Sequence, residues 1–297
     1  MAELVLEGIF APLTTPFDEA GDVDLGALRR NLQGYAAAPL AGYVALGTNG
    51  EFVHLGRAEK EAVIAAAVDG AAGRPVLAQV GEGSLRETAA FARRAADLGA
   101  AAVLAVTPHY YRGRMDDEAL VDFYHALGDA SPVPVLLYNI PQNTGVNAGP
   151  AVMAACARHP NVVGAKDSAG NLAQIAETVE RVPEGWGLLN GSSALLVAAF
   201  AAGARGGVLA AADVLPFEIA EVWSLCRAAR WAEAMALEGR LRPALREISA
   251  LGVAGTKLGM DLFGYRGGLP RAPLRPVPAD RRERVVDVLR AAGLVRF

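Results

Sequence analysis

The sequence predicts a (β/α)8 barrel, and three observations carry that expectation. Short apolar runs alternate with amphipathic ones along most of the chain. The apolar runs are continuous rather than alternating, the pattern of strands covered on both faces. Strand–helix alternation implies parallel strands joined by right-handed crossovers, and eight such units in about 230 residues suit a barrel that typically takes about 250. A doubly wound open sheet is the competing architecture. Its glycine-rich fingerprint is missing, because Thr14-Thr15-Pro16-Phe17 follows the first strand.

The first strand is expected at 8–13 (GIFAPL), followed by a helix over 24–38. A second strand at 43–46 leads to a helix over 57–70, and a third at 75–80 to one over 84–98. That third helix opens on Ser84-Leu85-Arg86-Glu87, the pattern of a capping box. The fourth strand, 102–106, precedes a helix over 116–130 capped by Asp116; the fifth, 134–138, precedes one over 148–157 capped by Asn147. Strands at 162–166, 187–189 and 206–209 then pair with helices over 171–182, 192–202 and 214–229. Beyond residue 229 the pattern is wholly helical, over 231–251, 253–263 and 280–292, with a Pro/Gly-rich connector at 267–278. No linker marks a separate domain. Residues 1–229 are therefore expected to form a catalytic barrel and 230–297 a helical extension packed on its flank, one structural unit.

The 297 residues are 53% hydrophobic and 20% charged with a formal net charge of −4, an ordinary globular composition. Mild acidity leaves no electrostatic footprint for nucleic acid or an anionic membrane. Glu3 and Glu7 interrupt the first apolar run, so no signal peptide is expected. No uncharged run reaches the roughly 20 residues of a membrane span. Cys156 and Cys226 lie on expected helices without CxxC spacing and read as buried thiols in a reducing compartment, the cytoplasm. Arg266, Arg271 and Arg275 read as a solvated basic tail, and the four histidines show no metal-binding spacing.

In such a barrel the site lies at the carboxyl ends of the strands. Those ends carry Thr14-Thr15, Thr48-Asn49-Gly50-Glu51, Glu82, Thr107 with Tyr110-Tyr111, Tyr138-Asn139, Lys166-Asp167-Ser168, Asn190-Gly191-Ser192 and Asp213. Lysine is scarce: only Lys60, Lys166 and Lys257 occur in a chain rich in arginine. An amine can lose its proton and attack a carbonyl, which a guanidinium cannot. Taken alone, Lys166 reads equally as a nucleophile and as a surface lysine closing a strand. Strand alternation turns Asp167 to the opposite side. Tyr138, one strand away, is placed either to relay protons or simply to cap the core. The turn at 47–51 offers backbone N–H groups and the Thr48 hydroxyl to a carboxylate, although glycine-rich turns are common here. The glycines near the seventh and eighth strands admit a phosphosugar enzyme as a rival; against it, Arg205 precedes its strand and faces the other end.

With these residues placed, the chain resembles the family of dihydrodipicolinate synthase and N-acetylneuraminate lyase over 8–273. The resemblance rests on GTNGE at 47–51, TPHYYRGRM at 107–115, YNIPQNTG at 138–145 and GAKDSAG at 164–170. It implies a class I, Schiff-base aldolase that handles pyruvate without metal or organic cofactor, the lysine itself forming the imine. Within the family the details are most similar to 4-hydroxy-2-oxoglutarate aldolases. Asn49 stands where the synthases have a second threonine, and Asn143 replaces the arginine that holds their aldehyde substrate's carboxylate. Lys166-Asp167-Ser168 replaces their KEA.

The resemblance implies Lys166 as nucleophile and Tyr138 as proton relay, supported by Thr48 and Tyr110, with Tyr111 the alternative to Tyr110. Thr48 and Asn49 would bind the pyruvyl carboxylate, with backbone contacts from Gly207 and Val208. Asn143 would stay a substrate-binding position without the arginine's charge, so Asn49, Ser168 and Asn190 become the candidate donors to the distal carboxylate, with Arg112 behind them. Dihydrodipicolinate synthesis from pyruvate and aspartate semialdehyde, sugar-acid cleavage and a catalytically silent pyruvate binder are the other readings. The family's usual assembly, a homotetramer built as a dimer of dimers, places a tyrosine of the 107–115 loop in the neighbour's site.

Overall fold

A computed structural model describes residues 4–294. Among these, eight parallel strands close into a barrel in chain order: β1 (Gly8–Ala11), β2 (Gly42–Ala45), β3 (Val76–Val80), β4 (Ala102–Val106), β5 (Val135–Asn139), β6 (Val162–Asp167), β7 (Gly187–Asn190) and β8 (Gly206–Val208). The expected strands are all present, the fourth at its expected bounds and the others shifted by a residue or two at their ends. Glu3, used above in reading the N-terminus, lies outside the described residues. The seam joins β8 to β1 through Gly8↔Gly206. A Cβ at Gly206 would collide with the Gly8 backbone, so the sheet closes there only because Gly206 has no side chain.

The helices are α1 (Leu25–Tyr35), α2 (Arg57–Gly70), α3 (Leu85–Asp97), α4 (Asp117–Ala130), α5 (Pro141–Thr144), α6 (Pro150–Cys156), α7 (Leu172–Arg181), α8 (Leu196–Ala201), α9 (Ala211–Val214), α10 (Pro216–Arg227), α11 (Trp231–Ser249), α12 (Gly252–Leu262) and α13 (Ala279–Ala291). Ser84, Asp116 and Asn171 cap their helices by accepting from N–H groups three residues on. Asn147 does not: α6 starts at Pro150, and the Asn147 amide bonds Gln174 and Asn139 instead. The one-turn helices α5 and α9 carry no hydrophobic period, being too short to show one, and were not anticipated.

Two apolar layers hold the fold. Phe10, Val44, Leu77, Leu104, Leu136 and Leu189 fill the barrel, while a larger layer packs between sheet and helices. Each such side chain contributes about 1.5–3 kcal/mol on burial. Arg205 bonds Glu7 at 2.9 Å, ahead of β1 and at the amino end, away from the site. In the extension, α11 lies against α8 and α10, and α12 reaches α9 and the turn after β2.

The basic tail departs from expectation at Arg271. Its guanidinium grips Glu59 at 2.7 and 2.9 Å, bonds the carbonyls of Gly21 and His54, and stacks over Phe17. A planar fork with five donors suits this clamp. Arg266 and Arg275 are exposed, as expected.

Candidate active site

The turn after β2 is held in an uncommon shape. Leu46 and Glu51 adopt left-handed backbone angles (φ 64° and 56°) on either side of a 3-10 turn at Thr48–Gly50. Such angles cost a non-glycine residue about 1–2 kcal/mol, so the surroundings must impose them. The Thr15 hydroxyl donates to the Gly50 carbonyl at 2.7 Å. Glu51, fully buried, pairs with Lys257 at 2.6 Å and accepts from the Arg271 N–H at 2.9 Å, with His54 at 3.1 Å. Lys257 in turn donates to the carbonyls of Thr15 and Leu269. None of these roles for Thr15, Glu51 or Lys257 was foreseen. The available signal was a lysine set among apolar residues in α12.

That turn presents Thr48, whose hydroxyl lies 3.0 Å from the Tyr138 hydroxyl at the end of β5. Lys166, near the end of β6 and paired with Tyr138 across the sheet, is only 4% exposed. Its Nζ stands 4.1 Å from the centre of the Tyr138 ring. All three lysines are buried, but they differ in partners. Lys60 is paired with Glu82 at 3.0 Å and Lys257 with Glu51. Lys166 makes no such close ion pair among the described residues. It lies over the Tyr138 ring instead.

Asp167 points away from the cavity, as strand alternation requires. It accepts from Asn139 at 2.9 Å, Gln174 at 3.0 Å and the Ala169 N–H at 2.9 Å. With the exposed Asn147 at its edge, these side chains form a polar brace behind the ends of β5 and β6. Ser168 follows, 6% exposed, its hydroxyl against Gly191 so closely that any Cβ there would collide with it. The Asn190 amide is engaged with Ser192 in both directions at 2.9 Å, building its own turn. Gly207 and Val208 lie in β8, and the Val208 side chain joins the barrel's inner core beside Tyr138. Asn49 is half-buried beside Thr48.

The remaining candidates lie farther out. Asn143 is exposed on α5. Arg112 leans on the next segment, 3.3 Å from where a Cβ of Gly145 would sit. Tyr110 and Tyr111 are 86% and 72% exposed and pack edge to face. They line an open cavity of about 590 Å³ with Phe52, Lys60, Glu82 and Thr107, and no described contact joins Tyr110 to the Lys166–Tyr138–Thr48 trio.

Asp213 is the outlier. It is completely buried on α9, just past β8, and neither carboxyl oxygen has a hydrogen-bond partner among the described residues. Burial pushes its carboxyl well above the ordinary carboxylate range, and the Lys166 charge pulls it back. Burial likewise pushes the Cys156 and Cys226 thiols up to about 12 and about 11, and both are free and buried as expected.

The family model for the dihydrodipicolinate synthetase family matches residues 5–292. The chain belongs to the dihydrodipicolinate synthetase family. Within that family it is 34% identical to an L-threo-3-deoxy-hexylosonate aldolase of Hypocrea jecorina, covering 96% of this chain and 95% of the relative. It is 32% identical to a 4-hydroxy-tetrahydrodipicolinate synthase of Methanospirillum hungatei, covering 96% and 99%. Among solved structures, dihydrodipicolinate synthase from Aquifex aeolicus superposes with a TM-score of 0.91 at 27% identity, covering 97% and 98%. As a dihydrodipicolinate synthetase family member the chain is an enzyme, a carbon–carbon lyase of the lysine Schiff-base class. Among the described residues no helix is long and apolar enough to cross a membrane.

Proposed function

We propose that this enzyme cleaves 4-hydroxy-2-oxoglutarate to pyruvate and glyoxylate through an imine on Lys166. The observation that carries the reading is Lys166 buried over the Tyr138 ring, with the Tyr138 hydroxyl bonded to Thr48. The neutral amine attacks the C2 ketone, and loss of water leaves a protonated imine that serves as electron sink. Tyr138 removes the C4 hydroxyl proton, the C3–C4 bond breaks, and glyoxylate departs. Protonation of the remaining enamine and hydrolysis release pyruvate, so no metal or organic cofactor is called for.

Thr48 and Asn49 hold the pyruvyl carboxylate, with backbone support from Gly207 and Val208. For the distal carboxylate, Ser168, two residues past Lys166, is the favoured donor, with Arg112 the more distant candidate. Asn190 is occupied with its own turn, and Asn143 is a neutral amide, weaker than a bidentate arginine. Tyr110, exposed in a single chain, acts across an interface between copies in a homotetramer built as a dimer of dimers. Residues 1–229 and 230–297 work as one unit in the cytoplasm. A second reading, cleavage of a 3-deoxy sugar acid to pyruvate and a longer aldehyde, is favoured by the similarity to the Hypocrea jecorina aldolase.

A lactate dehydrogenase-coupled assay of pyruvate release, run beside Lys166→Ala, tests the proposal. The parent should release pyruvate from 4-hydroxy-2-oxoglutarate and the folded variant none. Borohydride trapping of pyruvate retained in Lys166→Ala would remove Lys166 as nucleophile. Trapping on Lys166 without release would pass the substrate to the sugar acids or aspartate semialdehyde.

A further inference from the structure

Reading Lys166 as the nucleophile leaves one buried ionisable group at the mouth without a task. Asp213 has 0% exposure and two carboxyl oxygens without partners among the described residues. An unpaired polar group there costs stability that packing alone would never select, since an apolar side chain would fill the space at no such cost. The one-turn helix α9 carries Asp213 at the carboxyl end of the barrel, the end where Lys166 lies.

The groups around it are few. From α1, the Tyr35 hydroxyl donates to the Asp213 backbone carbonyl at 2.8 Å, leaving the carboxyl untouched. β1, packed against α9, carries no ionisable side chain. α12 brings Lys257, already committed to Glu51, and an exposed Asp261. α10 brings Glu218, Glu221, Cys226 and Arg227, of which only the cysteine is buried. The Lys166 charge is the one that draws the Asp213 carboxyl toward ionisation.

We propose that Asp213 is a positioning residue for the reaction: the buried counter-charge of the cation that forms on Lys166. It rests on the Lys166 imine reading above. In the step that matters, the neutral Lys166 amine, the Asp213 carboxylic acid and the substrate ketone become a protonated imine, an Asp213 carboxylate and one water. The C2–O bond breaks and a C=N bond forms. Of the amine's two hydrogens and the carboxyl's one, one stays on the imine nitrogen and two leave with the ketone oxygen. Tyr138 passes protons at the oxygen and finishes as it began, while Asp213 holds the opposite charge. No solvent proton is consumed, and the electron sink acquires its counter-ion in a low-dielectric wall where charge interactions are strong.

Asp213→Asn and Asp213→Ala test this, each compared with the parent for kcat against pH and for pyruvate trapped on Lys166 by borohydride. A nearby carboxylate favours the protonated imine, so its removal makes the imine lose its proton at lower pH. The alkaline limb of kcat should therefore move to lower pH in both variants. Near neutral pH kcat should fall about tenfold, less than the ~10²–10³ lost with a donor in direct contact. Superimposable pH profiles with Lys166 trapping intact would overturn the proposal, as would a shift seen in Asp213→Ala alone, which marks a packing role. Failure of the parent to trap pyruvate on Lys166 is a separate outcome that removes the imine reading and this inference together.

Discussion

The phenol of Tyr138 does two separable things: its ring lies under the Lys166 amine and its hydroxyl bonds Thr48. Tyr138→Phe keeps the first and removes the second. General acid–base groups contribute ~10²–10⁴-fold, so kcat should drop by about that factor while borohydride still traps pyruvate on Lys166. A variant that lost trapping as well would show that the ring, not the proton, is what matters. At this scale much was legible. Lys166 stood out because lysine is rare here, Tyr138 because it ends the neighbouring strand, and the outward turn of Asp167 followed from alternation. The bonds of Asn190 to its own turn were not legible, because an amide just before a turn bonds its own backbone as readily as a ligand. Asp213 was visible at the mouth, but nothing in its apolar neighbourhood announced that its carboxyl would lack partners.

The turn at Thr48–Gly50 depends on residues far from it in the chain. Glu51 meets Lys257 of α12 and the Arg271 N–H, and Thr15 holds Gly50. Breaking a buried ion pair by removing one partner typically costs about 3–5 kcal/mol, because the other charge is left uncompensated. Lys257→Met should therefore lower denaturant stability by about that amount. Among the molecules that remain folded it should raise KM for the 2-oxo acid, because Thr48 sits on the loosened turn. Unchanged stability would mean that Glu51 finds other donors. Helix starts were readable at Ser84 and Asp116, where cap and period agree. The Asn147 cap failed because Pro150 fixes a later start and a polar brace claims the amide. The Glu51–Lys257 tie follows no period and matches no spacing, so no local reading would have found it.

For the whole molecule, barrel topology followed from the repeated alternation of strand and helix, which encodes parallel order directly. The extension was legible as helices, but its hold on the site was not. The chain's response to pH also belongs to this scale. Asp213 has its carboxyl raised by burial, whereas in the unfolded chain it ionises near ~3.9. The unfolded state therefore gives up the proton first. Stability linked to this group is complete below the unfolded value and is lost as pH rises toward the folded one. Asp213→Asn should raise the thermal midpoint near neutral pH and leave it almost unchanged near roughly pH 3. Equal differences at both values would show that ionisation is not the cause.

The clamp at Arg271 has a further consequence, set by the direction of synthesis. Its backbone N–H meets Glu51 across 220 residues of chain, and a domain folds as a unit while synthesis runs from the N-terminus. All eight strands are made before the residue that finally secures the second strand's turn. The turn that presents Thr48 is therefore completed only after the last part of the chain has arrived, although its own residues are among the first to be made.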